Sequence, residues 1–208
     1  ILATSLWGAG LLTAGASPQA MAATAVRTKT RFPDKPVQIV VPFSRGGSTD
    51  IVARIIAPAL AESLKQTVQV ENISGAGGTI GARALARAPA NGYTLGMATV
   101  STTGTGPIVR RAIAYDPLAD FAPVIKLVDV PGVISVPPSF PAKNLTQFLK
   151  VVRRNPGRYT YASSGSGGVQ HMGMELFKIR TGIYVLHLPY RGAGPALREV
   201  VAGNIDIM

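Results

Sequence analysis

Val37-Gln38-Ile39-Val40-Val41-Pro42-Phe43-Ser44-Arg45-Gly46-Gly47-Ser48-Thr49-Asp50 is an apolar run that ends in a glycine pair and hands over to a helical pattern. Val37, Ile39, Val40 and Val41 are β-branched and nearly continuous, which predicts a strand buried on both faces of a parallel sheet. Ser48, Thr49 and Asp50 are N-cap residue types, and Ile51, Val52, Ile55, Ile56, Leu60 and Leu64 then repeat at helical spacing, so a helix is expected over residues 50–64. Pro58 removes an amide donor inside that helix and is expected to kink or split it. A strand, a glycine turn and a helix in this order leave peptide N–H groups and the positive end of the helix dipole at the carboxyl end of the sheet. An anion can be held there without a charged side chain.

Outward from this stretch the same device recurs. A strand over residues 68–71 leads to Gly75-Ala76-Gly77-Gly78 and a small-residue helix over 79–88, and Asn91-Gly92 turns the chain into a third strand over 93–98. Residues 99–106 are rich in hydroxyls and read as a further ligand loop. Two strand-like runs, 124–128 and 133–136, are separated by Asp129, Pro131 and Gly132, and an inter-domain crossing is expected there. The pattern then restarts: helix 145–154, strand 159–162, loop 163–168, helix 169–180, strand 184–188, loop 190–195 and a helix to about residue 202. Ile205-Asp206-Ile207-Met208 reads as the opening of another strand. Alternation of this kind predicts βαβ units, right-handed crossovers and parallel sheets.

With 208 residues and 47% hydrophobic content the chain can build a substantial core. Residues 1–22 carry no charge, are apolar around 6–12 and end in Ala20-Met21-Ala22, which reads as a partial signal peptide and predicts export to the periplasm. Cysteine is absent, which removes disulfides and thiolate metal sites. The formal charge of +11 is scattered through all elements with a single Trp, so nucleic acid is not an expected partner. A cationic surface still draws anionic solutes toward a cleft. No G-x-S-x-G, S-x-x-K, H-E-x-x-H or G-x-x-x-x-G-K-[ST] motif occurs, and the acidic residues form no paired arrangement. No cofactor or metal is implied. The two histidines read differently: His187 as a partly buried strand or loop residue, His171 as a first-turn residue of the helix behind loop 163–168, where it can shape a cleft.

Three loops, 44–50, 163–168 and 190–195, each follow a strand and precede a helix. Glycine lets backbone approach a ligand closely, and Ser and Thr hydroxyls add donors without burying charge. Helix N-termini facing each other across a cleft form a donor-rich pocket suited to a small carboxylate.

F-P-D-K-P-V-Q-I-V-V-P-F-S-R-G-G-S-T-D-I-V-A-R, V-E-N-I-S-G-A-G-G-T-I-G-A, N-G-Y-T-L, Y-D-P-L-A-D-F-A-P-V, Y-A-S-S-G-S-G-G-V-Q-H and P-Y-R-G-A-G-P-A-L together resemble the Bug family of tripartite tricarboxylate transporter receptors, in order from Phe32 to Met208. The resemblance implies an α/β, type II periplasmic-binding-protein-like fold with two lobes, mostly parallel sheets, and closure on a carboxylated solute that passes to membrane permease subunits. It places lobe 1 at residues 32–129 and lobe 2 at 130–208, and implies an incomplete C-terminus in which the return segment of lobe 1 is absent. On that basis the chain ending at Met208 is expected not to bind its solute as a stable two-lobed protein. The family's ligand loops map onto Phe43, Ser44, Gly46, Gly47, Ser48, Thr49 and Asp50, and onto Ser163, Ser164, Gly165, Ser166, Gly167 and His171. Arg45, Ile73-Ser74, Pro58 and Gly168 depart from the family pattern, Gly168 standing where a threonine hydroxyl is common. The expectation is a monomeric, non-enzymatic receptor for a small carboxylate. The alternatives are an α/β enzyme with His171 as acid or base, and a copy without ligand function.

Overall fold

The computed structural model describes residues 32–110 and 113–208. The leader reading of residues 1–22 lies outside the described residues. Strand β1 (Val37–Val41) is the centre of a three-stranded sheet in the order β2-β1-β3, with β2 at Val68–Asn72 and β3 at Thr94–Gly96. Both pairings are parallel, Val37 standing against Val68 and Ile39 against both Val70 and Leu95. A strand flanked on both sides needs apolar residues on both faces, and Val37, Ile39, Val40 and Val41 are all buried. Helix α1 (Ser48–Leu64) covers one face, where Ala53 and Ala57 pack on Ile39 and Val41. Helix α2 (Thr79–Ala86) follows β2 after a 3₁₀ turn at Ala76–Gly78.

The second half is built on a two-stranded parallel sheet of β4 (Thr160–Ser163) and β5 (Leu186–Pro189). Ile207 adds a parallel bridge to Tyr161 on the other side of β4. Helices α4 (Leu145–Arg154) and α5 (Val169–Thr181) supply Phe148, Val152 and Met174 to its core, beside Tyr161, Val185 and Ile207. Helix α6 (Ala193–Val201) seals a smaller cluster of Ala162, Ala196, Val200 and Ile205. Between α2 and α4 lies α3 (Gly106–Val109).

Several expectations are corrected. Helix α1 starts at Ser48 with Gly47 as its N-cap, and none of Ser48, Thr49 and Asp50 caps it with a side chain. Pro58 does not split α1: the helix runs through it, because the proline stands on the exposed face, where a carbonyl deprived of its amide partner is hydrated. Residues 99–106 are not an open loop. Val100–Thr105 form a wide helical turn whose start is tied by reciprocal Thr99 and Thr102 bonds and which runs straight into α3. The runs 124–128 and 133–136 form no strands. Val124 and Val133 are 84% and 76% exposed, and among the described residues Ser135 alone finds a backbone partner there, in Met208. β-branched composition prepares a segment for pairing, but a strand exists only where a neighbour accepts its hydrogen bonds. The segment lies between β3 and β4 in sequence.

Candidate functional site

The loops at the carboxyl ends of both sheets meet one another. A Cβ placed on Gly165 would stand 2.8 Å from the backbone of Gly77, so the loop after β4 and the loop after β2 are in backbone contact. The Val169 amide at the start of α5 donates to Ser101 Oγ at 2.9 Å, and Arg110 Nη2 donates to the Ser166 carbonyl. On the other side the Ser44 amide reaches the Arg191 carbonyl at 3.4 Å, and Gly192 leaves room for the Ser44 side chain, which a Cβ there would strike. Gly194 likewise packs on the carbonyl of Arg45. In open α/β sheets this end of the strands is where ligands bind.

Helices α1, α5 and α6 all begin at this seam, and their N-caps are Gly47, Gly168 and Gly192, with no side-chain cap. Helix α4 starts elsewhere and is capped normally, Asn144 accepting from the Gln147 amide at 3.0 Å. A capping side chain consumes a first-turn donor, whereas a glycine cap leaves those amides and the positive end of the dipole on offer. Val169 spends its amide on Ser101, a partner from the other half.

The first loop is shaped by an ionic cluster beneath it. Asp50, 3% exposed, accepts from the Gly46 amide at 2.9 Å, from Arg54 Nε at 3.0 and 3.1 Å, and from Asn72 Nδ2 at 2.8 Å. Asn72 Nδ2 also donates to the Phe43 carbonyl at 3.0 Å. Burial pushes the Asp50 carboxyl up, but the hydrogen bonds from Arg54, Gly46 and Asn72 and the Arg54 charge outweigh it and hold its pKa below the ordinary value. Asp50 and the Gly46 amide thus occupy each other. Gly46 has φ +83°, the left-handed region, while Gly47 has φ −85° and an ideal Cβ 3.5 Å from Ala193 Cβ. Of the glycine pair, Gly46 and not Gly47 takes the positive φ. Ser44 Oγ is buried with no hydrogen-bond partner among the described residues, an arrangement suited to a solute or water oxygen. Ser48 is exposed and Thr49 half-buried at the helix start.

The second loop has a neutral support. Ser163 is fully buried, and its Oγ accepts from the Gly165 amide at 3.2 Å and lies 2.6 Å from His187 Nε2. The Gly167 amide donates to His171 Nδ1 at 3.1 Å, and Gln170 Oε1 accepts from the Ser164 amide at 2.8 Å. Gly165 and Gly167 both have positive φ. Ser164 is buried and Ser166 exposed. A Cβ on Gly168 would already meet Ser101 Oγ and the Gly165 carbonyl at 3.2 Å, so this position is crowded by the other half. His171 lies behind the loop as expected; His187, read as an ordinary partly buried residue, stacks on it with ring centroids 4.1 Å apart. Arg110 and Asn72 had no place in the sequence reading of the site, whereas Ser101 lay in the hydroxyl-rich run 99–106 and Gly77 in the glycine run after the second strand. Arg110 and Asn72 announce themselves only through contacts distant in sequence, as does the bond of Ser101 to the other half. Among the described residues no group of His, Asp and Glu is arranged to hold a metal ion.

Two lobes of parallel α/β structure with carboxyl-end loops meeting at a seam define a periplasmic solute-binding fold. The chain belongs to the family described as the tripartite tricarboxylate transporter family receptor, which it matches over residues 52–208. It is 39% identical over 181 residues to the UPF0065 protein in the tcbD-tcbE intergenic region of Pseudomonas sp. (strain P51), covering 85% of this chain and 52% of that protein. It is 38% identical over 175 residues to protein BugT of Bordetella pertussis, covering 84% and 54%. The chain thus spans about half the length of these relatives. Among solved structures it resembles a periplasmic transporter at 46% identity and TM-score 0.83, R. palustris Rpa4515 with adipate at 38% and 0.82, and MatC (Rpa3494) from Rhodopseudomonas palustris with bound malate at 36% and 0.80. Each match covers 85% of this chain and 59% of the solved one, or 60% for MatC among them at its own coverage. The family is one of solute-binding receptors and not an enzyme class, which removes the alternative of His171 as a catalytic acid or base.

Proposed function

We propose that this protein is a periplasmic receptor that captures a small carboxylate between two lobes, residues 32–129 and 130–208, and hands it to the membrane permease subunits of a tripartite tricarboxylate-type transporter. Residues 1–22 direct its export, and it works as a monomer without cofactor, metal or nucleic acid. The observation that carries the reading is the meeting of three glycine-capped helix N-termini at the carboxyl ends of two parallel sheets. The Ser44 hydroxyl and the first-turn groups of Gly47, Ser48 and Thr49 face the solute from one side, and the Ser164 and Ser166 hydroxyls from the other, while Ser163, Gly165 and Gly167 spend their polar atoms within the second loop and shape it. Phe43, Gly46, Asp50 and His171 shape these loops. Peptide donors recognise a carboxylate whatever its remainder, and the relatives with adipate and malate point to dicarboxylates as the class to try first.

The test is calorimetric titration and thermal-shift screening, on this chain and on one extended to the length of its relatives, with malate, adipate and further di- and tricarboxylates and with recovery of the solute after long incubation. The expected outcome is saturable binding, a melting temperature that rises with solute concentration, and solute recovered unchanged. Failure of every carboxylate to bind, or chemical turnover of one, overturns the proposal.

A further inference from the structure

The His171–His187 stack lies directly behind the second ligand loop, and each ring is bonded to that loop. His171 Nδ1 accepts from the Gly167 amide at 3.1 Å, which requires a bare Nδ1 and puts the ring proton on Nε2, the side facing Glu175 Oε1 at 4.0 Å. His187 Nε2 is 2.6 Å from Ser163 Oγ, the same oxygen that accepts from the Gly165 amide. The far face of His187 stacks on Tyr161, centroids 4.8 Å apart. Both imidazoles are only partly exposed.

We propose that His171 and His187 are positioning residues for the solute site: as neutral rings they hold the 163–168 loop in the binding arrangement, His171 through the Gly167 amide and His187 through Ser163 Oγ, and protonation releases the loop. The inference rests on the receptor reading for its functional consequence, but its structural content stands apart from it. Neither ring touches solute; each acts through the loop backbone. Protonating His171 at Nδ1 turns the acceptor of the Gly167 amide into a second donor and breaks that bond. Protonating both rings places two cations face to face at a centroid distance of 4.1 Å.

The surroundings oppose that charge. On α5, Glu175 faces the stack, but its carboxylate is already shared by Lys178 Nζ at 2.9 Å and the Tyr161 hydroxyl at 2.7 Å. Lys178 itself lies over the rings of Tyr161 on β4 and Tyr184, at 5.9 and 5.4 Å, and adds a positive charge nearby. Burial, followed by the proximity of His171, pushes His187 down to about 4, Lys178 adding to this and Glu175 opposing it. Burial likewise lowers His171, with Glu175 opposing and Lys178 assisting.

The experiment follows the imidazole and amide resonances of the ¹⁵N-labelled full chain from neutral to acid pH, with malate and adipate titrations at both ends. The expected result is a neutral His171 protonated on Nε2, both rings titrating below the ordinary histidine value, and the Gly165 and Gly167 amides moving with the same midpoints. In His171→Phe, which keeps a flat ring but loses charge and acceptor, the His187 midpoint should rise and the Gly167 amide should lose its pH response. A merely structural role would move neither. Affinity for malate or adipate should fall about tenfold or more in acid in the natural chain relative to His171→Phe, a ratio that cancels the solute's own protonation. Rings that titrate independently at the ordinary value, or amides that ignore them, overturn the positioning role even if both solutes bind. If the amides follow the rings and no carboxylate of the wider screen binds at any pH, the receptor reading fails and the positioning of the loop is upheld.

Discussion

The loop after β1 and the loop after β4 share one construction, a strand, at least one glycine at positive φ and a glycine-capped helix, yet they are held in opposite ways. Under the first, the Asp50 carboxylate gathers the Gly46 amide, Arg54 and Asn72. Under the second, a serine hydroxyl and two imidazoles do the same work without a net charge on the atoms that meet the backbone. Charge-assisted bonds are the stronger kind, and a carboxylate keeps its charge through the physiological range, whereas imidazoles titrate close to it. One wall of the site is therefore rigid with respect to pH and the other is not.

The comparison breaks most severely at Asp50. Asp50→Ala leaves the Gly46 amide, Asn72 and a half-exposed Arg54 without their acceptor, and should destabilise the fold by about 2 to 3 kcal/mol in urea unfolding. A loss below that of an ordinary surface substitution would mean that the cluster does not support the loop.

Acid should tell the two walls apart. A histidine whose folded pKa lies below its unfolded value adds stability that is fully present above about pH 6.5 and is lost as pH falls toward the folded value, about 4 for His187. Asp50 and Glu175, also lowered, keep their contributions until pH falls below the ordinary carboxylate values. Unfolding free energy should thus drop by about 1 to 2 kcal/mol between pH 6.5 and 4, solvent screening reducing the full effect, and His187→Phe should flatten that slope. An unchanged slope in the variant would remove His187 as its source.

Gly46 and Gly47 form a finer test within the first loop. Gly46→Ala has space around its Cβ but must adopt φ +83°, which costs about 1 kcal/mol. Gly47→Ala keeps an ordinary φ and an ordinary contact with Ala193, and should lie within about 0.5 kcal/mol of the natural chain. Equal effects in chemical denaturation would show that φ does not distinguish the pair. Smallest of all are the serine hydroxyls: Ser164→Ala, at a buried position, should weaken carboxylate binding by about 0.5 to 1.5 kcal/mol and exposed Ser166→Ala by less. The reverse order in calorimetry would show that the exposed hydroxyl, not the buried one, meets the solute.

Much of this was legible without coordinates. Val37–Val41 could be read as a central strand because burial on both faces demands an unbroken β-branched run. Helix α4 was readable to the residue, since its Asn144 cap and amphipathic spacing are local signals. The segment 124–136 misled for the complementary reason, its apolar pattern being local while the partner a strand needs is not. Asp50 was read as a cap because its type suits a helix start, and as a ligand residue through the family resemblance. Its direction, back toward Gly46 and across to Asn72, follows from the parallel pairing of β1 with β2, which sets Asn72 against Val41.

Residue order was enough for the succession of strands, glycine turns and helices on either side of 124–136, and through its motifs for the family. These depend on propensity, periodicity and turn chemistry within a few residues of chain. Tertiary structure alone decided which glycine carries the positive φ, that Ser101 and Arg110 bind across the seam, and that His171 and His187 stack. The pairing of β4 with β5 places His187 against Tyr161, and the packing of α5 over that sheet lowers His171 onto it. Contacts of this kind join residues by spatial proximity, and no local pattern in the chain encodes them.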